Sequence, residues 1–231
     1  DMLCFVYAPQ SAGYAGTYDN VGDMVNKGVE FDLHFIPIRT KDLSWIINVN
    51  ATHYKNEVTM LNEDNRGSML EGHPGYTDGI YYVGEGLPLH TFRLKKYAGV
   101  TEEGLTSWWK LDEETGEMTP TTASNAATFF NCGTSDPDLY GGFSTSVAYK
   151  NLDVAVTFNY SIGGKGIDYG YQSMMSNPRS GYTGTIMHKD LYNAWSETNR
   201  DSNIPRFQYA VQDGDNSATN LSDRFLTNAS T

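Results

Sequence analysis

One stretch constrains this chain more than any other. NVGDMVNKGVEFDLHFIPIRTKDLSWIINVNATHY, residues 20–54, alternates apolar with polar side chains on both sides of a short charged turn. Period-two alternation marks a strand with one apolar face, and two such runs joined by a few residues read as a hairpin. Folding the stretch about Thr40 leaves Arg39, Thr40 and Lys41 as the turn. Phe35 then faces Trp45, Leu33 faces Ile47, Phe31 faces Val49 and Val29 faces Ala51. On the other face His34 meets Ile46, Asp32 meets Asn48, Glu30 meets Asn50 and Gly28 meets Thr52. A slip of one residue would send every side chain to the wrong face, so the pattern specifies the register.

A second hairpin lies in GGFSTSVAYKNLDVAVTFNYSIGG, residues 141–164. Tyr149, Val147, Thr145 and Phe143 fall opposite Val154, Val156, Phe158 and Tyr160, while Ala148, Ser146 and Ser144 meet Ala155, Thr157 and Asn159. A two-residue shift keeps the same faces, so the faces are better defined than the turn. The hairpins are expected at about 26–54 and 141–162. The excursions at about 55–140 and 161–222 lose the alternation and offer one helical suggestion, HKDLYNAWSE at 188–197, with Leu191 and Trp195 four apart on one face. Excursions of this length are uncommon in compact domains and carry function or disorder.

Both tight connections fall at one end of the hairpins, and both long excursions leave from the other. Outer-membrane barrels are built this way, with short turns on one side, long extracellular loops on the other, and strands of roughly 9 to 11 tilted residues. An antiparallel sandwich alternates too, with its apolar face inward. The sandwich predicts shorter loops at both ends and a core completed within these residues; the loop asymmetry favours the barrel. LPLHTFRLKKYAGV inside the first excursion could descend as a strand, but Arg93, Lys95 and Lys96 would crowd a crossing with charge. The excursion is therefore expected to make no crossing, and both excursions to lie on the extracellular side.

Aromatic-rich, Gly-rich sequence with only 39% hydrophobic residues suits an all-β chain. A net charge of -12 argues against a nucleic-acid partner, because phosphate binding needs clustered Lys and Arg. Cys4 and Cys132 lie far apart and can be two buried thiols, two exposed thiols or a long-range disulfide. No apolar run approaches the roughly 18 residues of a membrane helix, which leaves β-barrels open. The chain opens inside a strand-like DMLCFVY and closes at DRFLTNAST, where another strand begins, so it reads as a piece of a longer protein.

Catalytic constellations are missing. There is no Gly-x-Ser-x-Gly elbow, His-Glu-x-x-His, phosphate loop or Cys-x-x-Cys, and the His residues are scattered, so the chain reads as neither an enzyme nor a cofactor or metal protein. DGDNSATNLSDR from Asp213 opens like a calcium loop but has Ala218 and Arg224 where that motif needs Gly and Glu. The acidic runs at 62–65 and 111–117 read as solvated charge. The candidate binding residues are the loop aromatics Tyr81, Tyr82, Trp108 and Trp109, whose flat rings suit stacking on sugars or anchoring a protein partner; the alternative is a satellite core under the loop. In an extended segment Trp108 and Trp109 point oppositely, so only one of them can face cargo. Trp45 and Tyr160, near strand ends, suit an interfacial aromatic girdle.

NVGDMVNKGVEFDL, EGLPLHTFRLKKYAGV, DPDLYGGFSTSVAYKNLDVAVTFNYSIGGK and WSETNRDSNIPR occur in order over nearly the whole chain. Together they resemble the C-terminal barrel portion of SusC/RagA-type TonB-dependent outer-membrane transporters of Bacteroidetes, incomplete at both ends. The resemblance implies part of a barrel of about 22 antiparallel transmembrane strands with long extracellular loops, closed by a plug that this stretch lacks. It also implies TonB engaged through an N-terminal box lying outside this stretch, a SusD-like surface lipoprotein as lid, outer-membrane lipid around the barrel, and a glycan or oligopeptide as cargo. In such an importer cargo is captured between loops and lid, and TonB pulls on the plug to open the lumen. Gly28 and Gly142 would then lie on the lumen side, where a strand bends or another backbone approaches. The competing readings are a soluble β-rich glycan-binding module using Trp108 and Trp109, and a surface adhesin.

Overall fold

The computed structural model describes residues 2–175, 186–207 and 222–231. The sequence from Asp213 that begins like a calcium loop lies, up to residue 221, outside the described residues. Two compact units form: Asp1–Thr91 with Gly133–Lys165 and Asn228–Thr231, and Phe92–Cys132 with Gly166–Thr227.

The chain runs through β1 (Met2–Tyr7), β2 (Gly16–Arg39) and β3 (Leu43–Leu61), then a meander of β4 (Ser68–Leu70), β5 (His73–Asp78) and β6 (Tyr81–Gly84). Most of β7 (Thr91–Lys95), and all of β8 (Tyr97–Val100), β9 (Thr106–Leu111) and β10 (Met118–Thr121), belong to the second unit, as does most of β11 (Phe129–Thr134). The first unit resumes with β12 (Leu139–Tyr149) and β13 (Leu152–Ile162).

Its main sheet has the order β1-β2-β3-β12-β13 and is antiparallel throughout. β12 lies directly on β3, with Phe143 opposite Val49 and Val147 opposite Trp45. The long segment between these strands thus leaves and returns at one end of the sheet and inserts no strand into it. At the same end of β13, Ser161 and Thr231 exchange two backbone hydrogen bonds of 2.9 and 2.8 Å, so the chain comes back there after the second excursion.

The registers differ from the expected pairs by two residues, with every face preserved. Leu33 stands opposite Val49, Phe31 opposite Ala51 and Asp32 opposite Asn50, rather than Ile47, Val49 and Asn48. The cause is local. At the tight turn Arg39 meets Ser44, three residues beyond the expected Lys41, and a bulge between Phe35 and Ile38, beside Pro37 with no N–H for the ladder, takes one residue back. In the second hairpin Phe143 meets Phe158 and Val147 meets Val154, with Lys150 and Asn151 as the turn. Lys150 takes a left-handed backbone, φ 53°, at that turn. Alternation therefore specifies parity, and the turn settles the remaining even shift.

Among the described residues no sandwich core closes over the apolar face. Phe31 is 53% exposed and Phe158 60%, and Val29, Leu33, Phe35, Val154 and Val156 are exposed with them. Glu30, Asp32, Asn48 and Asn50 on the opposite face are exposed as well. The buried cluster sits beyond this band, where β2 and β3 outrun β12 and β13: Met2, Val21, Val58 and Leu61 pack with Val83 of β6. Val58 binds the segment after β6 through Val58 N–H to the Leu87 carbonyl at 2.9 Å and Gly86 N–H to the Val58 carbonyl at 2.8 Å.

Close backbone approach requires glycine at positions 28 and 141, among others. A Cβ on Gly28 would lie 2.5 Å from the His53 carbonyl oxygen, and one on Gly141 would lie 2.1 Å from that of Asn50. Gly142 differs from the expectation: its nearest neighbour would be the Asn159 side chain at 3.3 Å, so the tight approach belongs to Gly141, on the other face. Tyr160 lies opposite Gly141 and reaches across it to donate its hydroxyl to the Asn50 carbonyl at 3.0 Å.

In the second unit β8, β9 and β10 form an antiparallel sheet, and β11 pairs with β7. The expected helix at 188–197 is shorter. Residues Lys189–Asn193 make a 3-10 turn capped by the His188 ring, and Ala194 leaves it with extended backbone. Trp195 therefore sits past the turn, where its backbone N–H donates to the Ile204 carbonyl at 2.8 Å and its ring covers Gly104.

Candidate functional site at the mouth of the polar face

Where β2 and β3 emerge from the main sheet, a groove of about 750 Å³ opens along their polar face. Asn26, Gly28 and Glu30 of β2, Tyr54 and Asn56 of β3, and Tyr140 of β12 line it on the strand side. Leu89, His90 and Asp136 line it from the connecting segments. Strand alternation puts Gly28, Glu30, Tyr54 and Asn56 on one face, and the excursions bring the rest over them.

Asn56 organises the groove. It is nearly buried, its Nδ2 donates to Asp136 Oδ2 at 2.7 Å, and its Oδ1 accepts the Leu89 N–H at 2.8 Å. One amide thus ties two distant connecting segments to β3. His90 Nδ1 lies 3.3 Å from Asp136 Oδ1, and the Ser135 N–H donates to the His90 carbonyl at 3.2 Å. His53 Nδ1 contacts the Asp138 carbonyl. Tyr54 and Tyr140 meet edge to face with centroids 6.0 Å apart, and Tyr140 stays 40% exposed. These groups are held before any ligand arrives, and they present one exposed ring beside amides and carboxylates.

The four sequence candidates are split. Tyr81 packs edge-on against the groove residue His90, centroids 5.5 Å apart, and is partly exposed. Tyr82 is fully buried, its hydroxyl 2.9 Å from both the Ser68 and His73 carbonyls, and so fastens β4, β5 and β6 together. Trp108 is 1% exposed, and its Nε1 has no hydrogen-bond partner among the described residues. Trp109 is partly exposed on the opposite side of β9; its backbone bonds to Lys96 and Thr128. The tyrosines belong to the first unit and the tryptophans to the second. Sequence reasoning passed over Tyr54, Asn56, His90, Asp136 and Tyr140. Tyr54 and Tyr140 carried a signal, as aromatics at the loop end of polar-face positions; nothing local marks Asp136 or His90.

Other polar groups brace the loops. Glu85 accepts the Leu61 N–H at 2.7 Å and the Arg66 guanidinium, contacts that hold its carboxyl below the ordinary range. The basic cluster is spent on aromatic rings: Arg93 lies 3.7 Å over Phe129, Lys95 5.3 Å from the same ring, and Lys96 4.6 Å over Phe130. Burial, and then Arg93, lower the Lys95 pKa. Cys132 is buried, its Sγ 3.8 Å from the Leu94 carbonyl. Among the described residues no group of three or more His, Cys, Asp or Glu is placed to hold a metal ion, and no helix is long and apolar enough to cross a membrane.

Strands exposed on both faces, tight turns at one end and long excursions at the other define the class: a partial antiparallel β-barrel of the outer-membrane kind. The chain is similar, in sequence and in fold, to SusC/RagA-type TonB-dependent transporters. It is 26% identical over 217 residues to TonB-dependent receptor P3 of Formosa agariphila, covering 89% of this chain and 21% of that protein. To TonB-dependent receptor SusC of Bacteroides thetaiotaomicron it is 25% identical over 205 residues, covering 83% of this chain and 19% of that protein. A solved structure of the RagAB peptide transporter aligns with a TM-score of 0.73 and 25% identity over 99% of this chain and 24% of its own. No family model matches the chain. The chain spans about a fifth of the length of the curated relatives it matches. These relatives are receptors and importers, and the non-enzymatic reading of the chain stands with them.

Proposed function

We propose that this chain is part of the wall and surface loops of an outer-membrane, TonB-dependent importer that takes up a glycan or an oligopeptide with a SusD-like lipoprotein as its lid. The observation that carries the reading is the sheet exposed on both faces, one apolar and one polar, with its excursions confined to one end. Such a sheet needs lipid on one side and water on the other. The excursions are extracellular in this reading, and the groove at the mouth of the polar face lies on the cargo's path. Tyr81 and Trp109 supply the accessible aromatic surface for cargo or lid, and Tyr82 and Trp108 hold the loops rigid from beneath.

The test uses the full-length protein in its own cells. It is expected in the outer-membrane fraction, with heat-modifiable migration on a gel, co-purifying with a surface lipoprotein and needed for TonB-dependent growth on its nutrient. Recovery in the soluble fraction without heat-modifiable migration would refute the barrel and return the chain to a soluble glycan-binding module.

A further inference from the structure

The polar face has an uneven charge pattern. From Gly28 to His34 on β2, and across the matching rows of β3, β12 and β13, the ionisable side chains of acid, base or imidazole type are Glu30, Asp32 and His34, with no Lys or Arg. Elsewhere the rows are Asn, Ser, Thr, Tyr and Gly. His34 Nδ1 lies 2.5 Å from Asn48 Oδ1, and Asn48 Nδ2 donates to Ser144 at 3.0 Å, so imidazole, amide and hydroxyl groups already form a ladder of side-chain hydrogen bonds. Glu30 and Asp32 are exposed and, among the described residues, take part in no ion pair.

The cations of these strands lie off those rows. Lys27 and Lys55 oppose each other at positions of the other parity, Lys27 reaching the lining of the groove, and Arg39 lies past the Pro37 bulge beside the tight turn. The groove above adds Asp136, hydrogen-bonded by Asn56 and beside His90, and Lys27, so the uniformly acidic stretch is the wall below the groove. Rows whose acidic groups have no Lys or Arg among them repel anions that pass below the groove and are indifferent or attractive to everything else.

We propose that Glu30 and Asp32 are specificity determinants that make this wall a charge filter, admitting neutral or cationic cargo and turning away polyanions such as sulfated or uronate-rich glycans and acidic peptides. The proposal rests on the import reading, in which the polar face lines a water-filled lumen.

The test reads the wall's potential directly. In the full-length protein in intact cells, Asn50→Cys places a thiol opposite Asp32, and Thr52→Cys places one opposite Glu30. Each is labelled with a cationic trimethylammonium-ethyl or an anionic sulfonatoethyl methanethiosulfonate, and rates are normalised to the same reagents on 2-mercaptoethanol and corrected for the parent chain. Charges at this spacing, screened by salt, should favour the cationic reagent by about tenfold at both positions. Glu30→Gln with Asp32→Asn should bring the ratio near one. A normalised ratio near one in the parent background, or a ratio that survives the double substitution, overturns the proposal. If neither reagent reaches either thiol in folded protein, the polar face is not water-lined, and the import reading falls together with the filter.

Discussion

Val156 and Thr157 are neighbours in β13 with opposite fates. Val156 lies opposite Thr145 and is exposed on the apolar face, whereas Thr157 lies opposite Ser144 on the polar face. Leu152 and Tyr160 bound the apolar run of this strand. Val156 is four residues from either, about 13 Å along a strand rising about 3.3 Å per residue. At a tilt near 40° that is about 10 Å of depth on each side, which puts Val156 at the middle of a band about 25 Å tall. Val156→Arg should therefore cost about 2 to 4 kcal/mol, and Thr157→Arg, at the same depth in water, close to nothing. As an equilibrium ratio, the larger cost is about thirty- to nine-hundred-fold. The assay is the yield of heat-modifiable full-length protein in the outer membrane, followed by urea unfolding of the purified barrel. Equal yields and equal midpoints for the two variants would refute the assignment of faces, and with it the barrel.

Gly141→Ala drives a Cβ against the Asn50 carbonyl, whereas Gly142→Ala meets nothing nearer than the Asn159 side chain at 3.3 Å; the first should cost about 1 to 3 kcal/mol by denaturant unfolding and the second little. Glu85 has its pKa lowered in the fold, chiefly by the Leu61 N–H and then by Arg66. Its contribution is thus present above its ordinary value of 4.5 and lost as pH falls through the lower folded value, so protection of the Leu61 amide from hydrogen exchange should drop on acidification, and not in Glu85→Gln. Trp108→Ala should destabilise the second unit by about 3 to 5 kcal/mol, visible in near-UV circular dichroism. Trp109→Ala should leave that spectrum intact and weaken cargo or lid binding by about 1 to 3 kcal/mol; normal binding would remove Trp109 from the capture surface.

Period-two alternation made the two faces legible because a strand offers its side chains only two directions. Parity followed with it. The absolute pairing did not, since an even shift preserves every face, and the shift was decided by the turn that pairs Arg39 with Ser44 together with the bulge beside Pro37, and by the backbone taken up at Lys150. The spacing of Leu191 and Trp195 suits a longer helix than forms, because His188 caps only five residues before Ala194 leaves the helical backbone. Adjacent aromatics in the excursions carried no alternating context, so nothing in the sequence separated Tyr82, spent on two carbonyls, from Tyr81, left at the surface beside His90.

The groove was illegible for a different reason. Its strand side is written in the alternation that carries Gly28, Glu30, Tyr54 and Asn56, but its other side comes from Leu89, His90 and Asp136, brought back by long connections whose side chains show no period. Asn56 is the residue where the two kinds of information meet. In sequence it is one polar residue at the end of a strand. In the fold it donates to Asp136 and accepts from Leu89, so a single amide 80 residues away from one partner sets where both connections stand over the mouth. Such a group costs its desolvation whenever either partner is missing, and that penalty favours only arrangements in which both segments arrive together. A strand pattern can therefore build the wall alone, but the mouth forms only once the excursions have folded back onto it, and part of its lining comes from loop residues that no strand periodicity records.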